Sequence, residues 1–153
     1  MVRDRISQAL KDAMKAGEKR RVATLRLVTA AIKDRDLGIG GGPAPESGKI
    51  SDEEVLQLLT KMVKQRRESI ETYSSAGRDD LVDQETAEIA VIEEFMPRQM
   101  GEAEIRAAIE GVMRDLSCES LKDMGRVMAA LKTRYPGQMD FGKASGLVKE
   151  LLQ

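Results

Sequence analysis

The residues of this chain best placed to do chemistry are its cations. Lys19, Arg26 and Lys33 stand at seven-residue steps, with Ala23 and Ala30 between them. On a helix of about 3.6 residues per turn that spacing makes one nearly straight stripe beside an apolar face. A row of cations over small side chains can lie against a phosphate backbone, because each Lys or Arg contact releases counterions and adds affinity independent of base sequence. It can equally be a solvated flank. A second set, Arg126, Lys132, Arg134, Lys143 and Lys149, lies towards the C-terminus, where residues 105–153 hold eight bases and six acids. Lys19, Arg26, Lys33, Arg126, Lys132, Lys143 and Lys149 are the candidate nucleic-acid contacts. Two tyrosines and two phenylalanines are too few for a base-stacking surface, so any RNA contact falls on shape and phosphate.

Other chemistry finds fewer residues. There is no histidine, which removes the usual general base near neutral pH, the usual partner of a nucleophilic serine and the commonest metal ligand. Cys118, the lone cysteine, sits in DLSCESL with no histidine to generate its thiolate and reads as structural. Asp79, Asp83, Glu85 and Glu88 have the three- and four-residue spacings of a shared helix face, but that spacing is ordinary on solvated helices. GGGPAPESGKIS resembles a phosphate-binding loop only superficially. Pro43 stands where that pattern needs glycine, Ile50 where it needs a hydroxyl, and no strand precedes it. No catalytic residue, metal ligand or cofactor is assigned.

The elements that must position the cations are all helical. The chain has 153 residues, 41% hydrophobic, and its apolar positions recur at three- and four-residue steps without period-two alternation. The spacing predicts a first helix over Val2–Ala16, with Ile6, Leu10, Ala13 and Met14 inward and Gly17 as its C-terminal cap. A second, about Glu18–Leu37, buries Val22, Leu25, Thr29 and Ile32, and residues 38–48, GIGGGPAPESG, form an exposed loop. Ser51 and Glu54 make a capping box for a third helix carrying Val55, Leu59, Met62, Ile70 and Tyr73, stopped by Gly77. A fourth, about Arg78–Phe95, turns Leu81, Ile89, Ile92 and Phe95 inward and halts at Pro97. Charge is two-sided here: Lys61, Lys64, Arg66, Arg67 and Arg78 precede a stretch, Asp79–Glu104, with nine acids and one base.

Around Pro97 the composition changes, six of the nine methionines falling at positions 96, 100, 113, 124, 128 and 139. Residues 1–96 therefore read as an N-terminal antiparallel domain of about four helices, and 97–153 as a small three-helix tail. The tail helices are expected at Glu102–Leu116, Leu121–Tyr135 and Phe141–Leu152, the last capped by Asp140. Leu121, Met124, Met128 and Leu131 form a row that packs in the core or, methionine being adaptable, meets a partner. Gly125 and Ala129, four apart, allow a neighbouring helix close approach. No apolar run nears the ~20 residues of a membrane span, and the first residues are too acidic and interrupted for a secretory leader. A cytoplasmic protein is expected.

LRLVTAAIKD from Leu25, KQRRESIETYSSAGRDDLVDQETAEI from Lys64, EFMPRQM from Glu94, and MGRVMAAL followed by GQMDFGKASGLVKELL together resemble the YqeY family across the whole chain. From about Pro97 the chain is similar to the tail of GatB, a subunit of the amidotransferase that converts glutamate or aspartate on misacylated tRNA. Met96, Met100 and Gly101 depart from the usual junction and put the local helix cap in question. The resemblance implies an all-α protein that binds tRNA and assists tRNA-dependent amidation or aminoacylation, with an aminoacyl-tRNA synthetase or amidotransferase subunits as partners. It also implies carbon–nitrogen ligase activity with glutamine as donor, either by this chain or by a complex containing it. The residues themselves, with no amidase signature and no ATP site, point to a non-catalytic module. A third expectation is a helical protein-interaction adaptor docking through the acidic helix from Asp79.

Overall fold

The computed structural model describes residues 1–153, and every regular element is helical, as expected. Two compact units, Met1–Met96 and Pro97–Gln153, each enclose a separate hydrophobic core.

The first unit contains α1 (Val2–Ala16), α2 (Lys19–Asp36), α3 (Asp52–Ser75) and α4 (Asp79–Glu93). Local chemistry sets their ends. Gly17 adopts the left-handed conformation (φ 71°), which glycine reaches without steric cost, and lets the Glu18 N–H reach back to the Ala13 carbonyl at 3.1 Å. Gly77 does the same after α3, the Arg78 N–H reaching the Tyr73 carbonyl at 2.9 Å. The capping box is formed: Ser51 Oγ accepts from the Glu54 N–H (3.1 Å), and the Glu54 carboxylate accepts from the Ser51 N–H (3.3 Å).

Ile6, Leu25, Val28, Val55, Leu59 and Ile92 are fully buried at the centre, each contributing about 1.5–3 kcal/mol of hydrophobic transfer. Two expected inward positions fall elsewhere. Met14 is exposed, and α2 buries Thr24 and Val28 where Thr29 was expected, because α2 carries apolar residues on two sides and their period alone does not choose the core. Leu10, Val22, Ile70 and Tyr73 are only partly buried.

A polar anchor ties three segments together. The Arg3 guanidinium binds both oxygens of Asp36 at 2.8 Å, and Asp36 also accepts from the Ile50 N–H at 2.8 Å. The hydrogen bond from Arg3, reinforced by that from Ile50 and opposed by burial, holds the Asp36 carboxyl at about 2. Across α3 and α4, Arg66 pairs with Glu88 at 2.9 Å, both largely shielded.

The second unit contains α5 (Glu102–Asp115), a short 3-10 turn at Leu121–Asp123, α6 (Met124–Arg134) and α7 (Phe141–Leu152). Its core is Ile109, Val112, Val127, Leu131, Ala144 and Val148. The expected helix from Leu121 therefore starts as a tighter turn, in which Asp123 accepts from the Glu119 N–H at 3.1 Å. Asp140 caps α7 through the Gly142 N–H at 2.8 Å. At the start of α5 the cap is half made: Gly101 has no side chain to offer, and Glu104 reaches back to its N–H at 3.4 Å while pairing with Arg98.

Candidate nucleic-acid interface

Four of the tail's arginines are engaged within the chain. Arg134 is held by Asp115 at 2.8 Å, Arg98 by Glu104 at 3.1 Å, and Arg106 by Glu102 and Glu150 at 3.4 and 3.5 Å. Arg126 is also engaged, donating to Asp123 at 3.2 Å and to the carbonyl of Leu116, the residue ending α5, at 3.0 Å. A planar guanidinium with several fixed donors suits such bridging. The Asp123 carboxyl is held below its usual range, first by the Glu119 N–H and with a contribution from Arg126. By contrast Lys132, Lys143 and Lys149 are exposed and enter no ion pair. Among the tail candidates, then, the lysines are available to a ligand and Arg126 first serves the turn between α5 and α6.

The lysines stand beside bare backbone. On α6, Gly125, Ala129 and Lys132 occupy positions i, i+4 and i+7 of one face. On α7, Gly142, Gly146 and Lys149 repeat that spacing, and all six residues are exposed. A Cβ added at Gly125 or Gly146 would meet nothing within 4 Å. The expectation that Gly125 and Ala129 admit a neighbouring helix is thus corrected: the packing side of α6 carries Val127 and Leu131, and the small residues lie opposite. Of the methionine row, Leu131 is central to the second core and Met124 and Met128 pack half-buried against it, while Leu121 is exposed. Gly142 and Gly146 were missed in the sequence, although the shared small-x-x-x-small-x-x-Lys spacing of two successive helices was there to find.

In the first unit Lys19, Arg26 and Lys33 share the exposed side of α2 and likewise enter no ion pair. Two other arginines of α2 are used internally, Arg21 with Glu94 and Arg35 with Glu54 at 3.7 Å. The acids of α4 are partly committed: Glu88 is held by Arg66, and burial, then the neighbouring Glu88, pushes the Glu85 carboxyl up. Cys118 is buried between α5 and the 3-10 turn.

Seven α-helices in two units, with rows of unpaired cations on outer helix faces, define an all-α protein with cationic helical surfaces. More particularly, the chain belongs to the YqeY family: the family described as Yqey-like protein matches residues 3–152. It is similar to the protein named altered inheritance of mitochondria protein 41, mitochondrial, in several fungi. That of Lachancea thermotolerans is 32% identical over 114 residues, covering 72% of this chain and 57% of the relative. The Eremothecium gossypii protein is 33% identical over 91 residues, 60% of this chain and 46% of the relative. The Pyrenophora tritici-repentis protein is 29% identical over 142 residues, 88% and 73% respectively. The chain thus spans about half the length of the first two relatives. These names correct the cytoplasmic expectation, since the relatives are named as mitochondrial proteins. That expectation rested on missing secretory and membrane-spanning signals, which do not separate cytosol from mitochondrion.

Proposed function

We propose that this chain is a tRNA-binding accessory module whose tail grips the nucleic-acid backbone through Lys132, Lys143 and Lys149 while partner subunits perform tRNA-dependent amidation or aminoacylation. The observation that carries this reading is the pair of outer faces on α6 and α7, where small residues leave the helix backbone bare beside an unpaired lysine. A sugar-phosphate strand can approach such a face closely, and each lysine then replaces condensed counterions at a phosphate. The similarity of the tail to that of GatB supports the choice of tRNA. The names of the fungal relatives favour a mitochondrial setting.

The test is binding of the purified chain to bulk tRNA and to duplex DNA across a salt series, repeated with Lys132→Glu, Lys143→Glu and Lys149→Glu combined. Preferential tRNA binding should weaken roughly a hundredfold in the variant, with the salt slope reduced by about 3. Arg126 is left intact because its guanidinium holds the Leu116 carbonyl. Absence of binding near ~0.15 M salt, or binding unchanged in the variant, would overturn the reading. Glutamine- and ATP-dependent amidation by the chain alone would replace it with a catalytic one.

A further inference from the structure

Helix α2 is apolar on two sides, and only one of them is covered. Its inner side presents Thr24, Leu25, Val28 and Ile32 to the core of the first unit. Its outer side presents Ala23, Leu27 and Ala30, all exposed, with Lys19, Arg26 and Lys33 along one margin. Large apolar side chains left in water concentrate here. Leu27 is 49% exposed, Leu37 and Ile39 at the end of the helix are 65% and 54%, and Met14 beside its beginning is 52%. Met14, Val22 and Ala23 line a depression of about 360 Å³ together with Lys19 and Arg26. A helix that is apolar on both sides is ordinarily enclosed on both.

We infer that the outer face of α2 docks an acidic amphipathic α-helix of a partner protein. Three features select that occupant. The cations at seven-residue steps lie about 10.5 Å apart along the axis, the repeat at which a packed helix returns the same side chain to its partner. None of them is neutralised within the chain, whereas the inward-leaning Arg21 and Arg35 are, so the face offers positive charge to carboxylates. Ala23 and Ala30, on either side of Leu27, permit close helix approach with a central apolar knob.

Other occupants fit less well. A phosphate backbone would leave Leu27 and Met14 without apolar partners. An anionic bilayer would gain little from two alanines. A second copy of α2 would set one row of cations against another.

The experiment uses the full chain and a synthetic 18-residue amphipathic peptide with leucine and alanine on its apolar row and glutamates at seven-residue steps beside it. A peptide of the same pattern with lysine in place of glutamate is the control. The acidic peptide should bind and the control should not. Binding should weaken roughly tenfold in Leu27→Ser and more in the combined Lys19→Glu, Arg26→Glu, Lys33→Glu chain, with the helical circular dichroism unchanged. The tail lysine variant should bind the peptide normally, which keeps this result separate from tRNA binding. Failure of the acidic peptide to bind, or binding indifferent to Leu27→Ser, would overturn the inference. So would loss of tRNA binding or of anionic-vesicle binding in the α2 charge variant, or concentration-dependent self-association abolished by Leu27→Ser.

Discussion

The outer face of α2 and the outer faces of α6 and α7 carry the same charge on different grounds. On α2 the cations border Leu27 and Ala23, with Met14 nearby, and the surface is incomplete in the apolar sense. On α6 and α7 the lysines border glycine and alanine, and the surface is incomplete only in the electrostatic sense. Net positive charge therefore does not decide what a helix face binds. What lies between the cations does: apolar bulk asks to be removed from water, whereas exposed backbone leaves room for a hydrated, charged strand. The two units also differ in how their charges are tied down. The first has a shielded anchor at Arg3–Asp36 and a shielded bridge at Arg66–Glu88, while the tail's pairs are largely exposed.

The largest expected effect tests whether the two regions are energetically separate. Leu59→Ala and Leu131→Ala each delete a fully buried leucine, one per core, and should each cost about 3 kcal/mol. Amide hydrogen exchange should then accelerate in α1–α4 for the first variant and in α5–α7 for the second. Equal acceleration in both units from either substitution would break the comparison, because it would make the chain one cooperative body.

A smaller effect separates the units by acid. The Asp36 carboxyl is held at about 2, below the 3.8 of an unperturbed aspartate, so its contribution is fully present above pH 4 and is lost as pH falls from about 4 to 2. Allowing for solvent screening, the loss is on the order of 1–2 kcal/mol. Urea unfolding followed in the first unit at pH 5 and pH 2.5 should show it in the native chain. In Arg3→Ala the pH-dependent part should shrink, since the guanidinium is the main cause of the depressed pKa. An undiminished pH dependence in Arg3→Ala would assign the acid sensitivity to other carboxyls.

Much of the backbone was legible in the sequence because its determinants are local. Gly17 and Gly77 end helices by adopting a left-handed conformation, Ser51 and Glu54 satisfy each other's N–H groups, and Asp140 caps from its own position. None of these depends on a distant residue. The choice of inward side was less legible, as Thr29 and Met14 show, because a helix with two apolar sides has no unique core side until its neighbours are placed. The candidate interface was legible in its lysines and illegible in Arg126. That guanidinium binds a carbonyl ten residues away, which only tertiary geometry brings near. The availability of Gly125 was hidden for the same reason, since a small residue facing a neighbouring helix and one facing solvent look alike in one dimension.

The smallest effect is the most discriminating, because stability and ligand binding should move in opposite directions at a tail glycine. Gly146 lies within α7, where glycine destabilises a helix by roughly 0.5–1 kcal/mol relative to alanine. Its backbone is not in the positive-φ region and an added Cβ would touch nothing within 4 Å, so the fold itself gains nothing from the missing side chain. Gly146→Ala should therefore raise the stability of the tail by about that amount, measured by denaturant midpoint or by exchange in α7. If the bare face admits a sugar-phosphate strand, Gly146→Leu should keep most of that gain yet weaken tRNA binding severalfold, with the salt slope unchanged because no phosphate contact is lost. Stabilisation together with weakened binding would mark the glycine as retained for a ligand. Stabilisation with unaltered binding would leave the lysines as the tail's only contribution, and would return the contrast with α2 to the apolar residues of α2 alone.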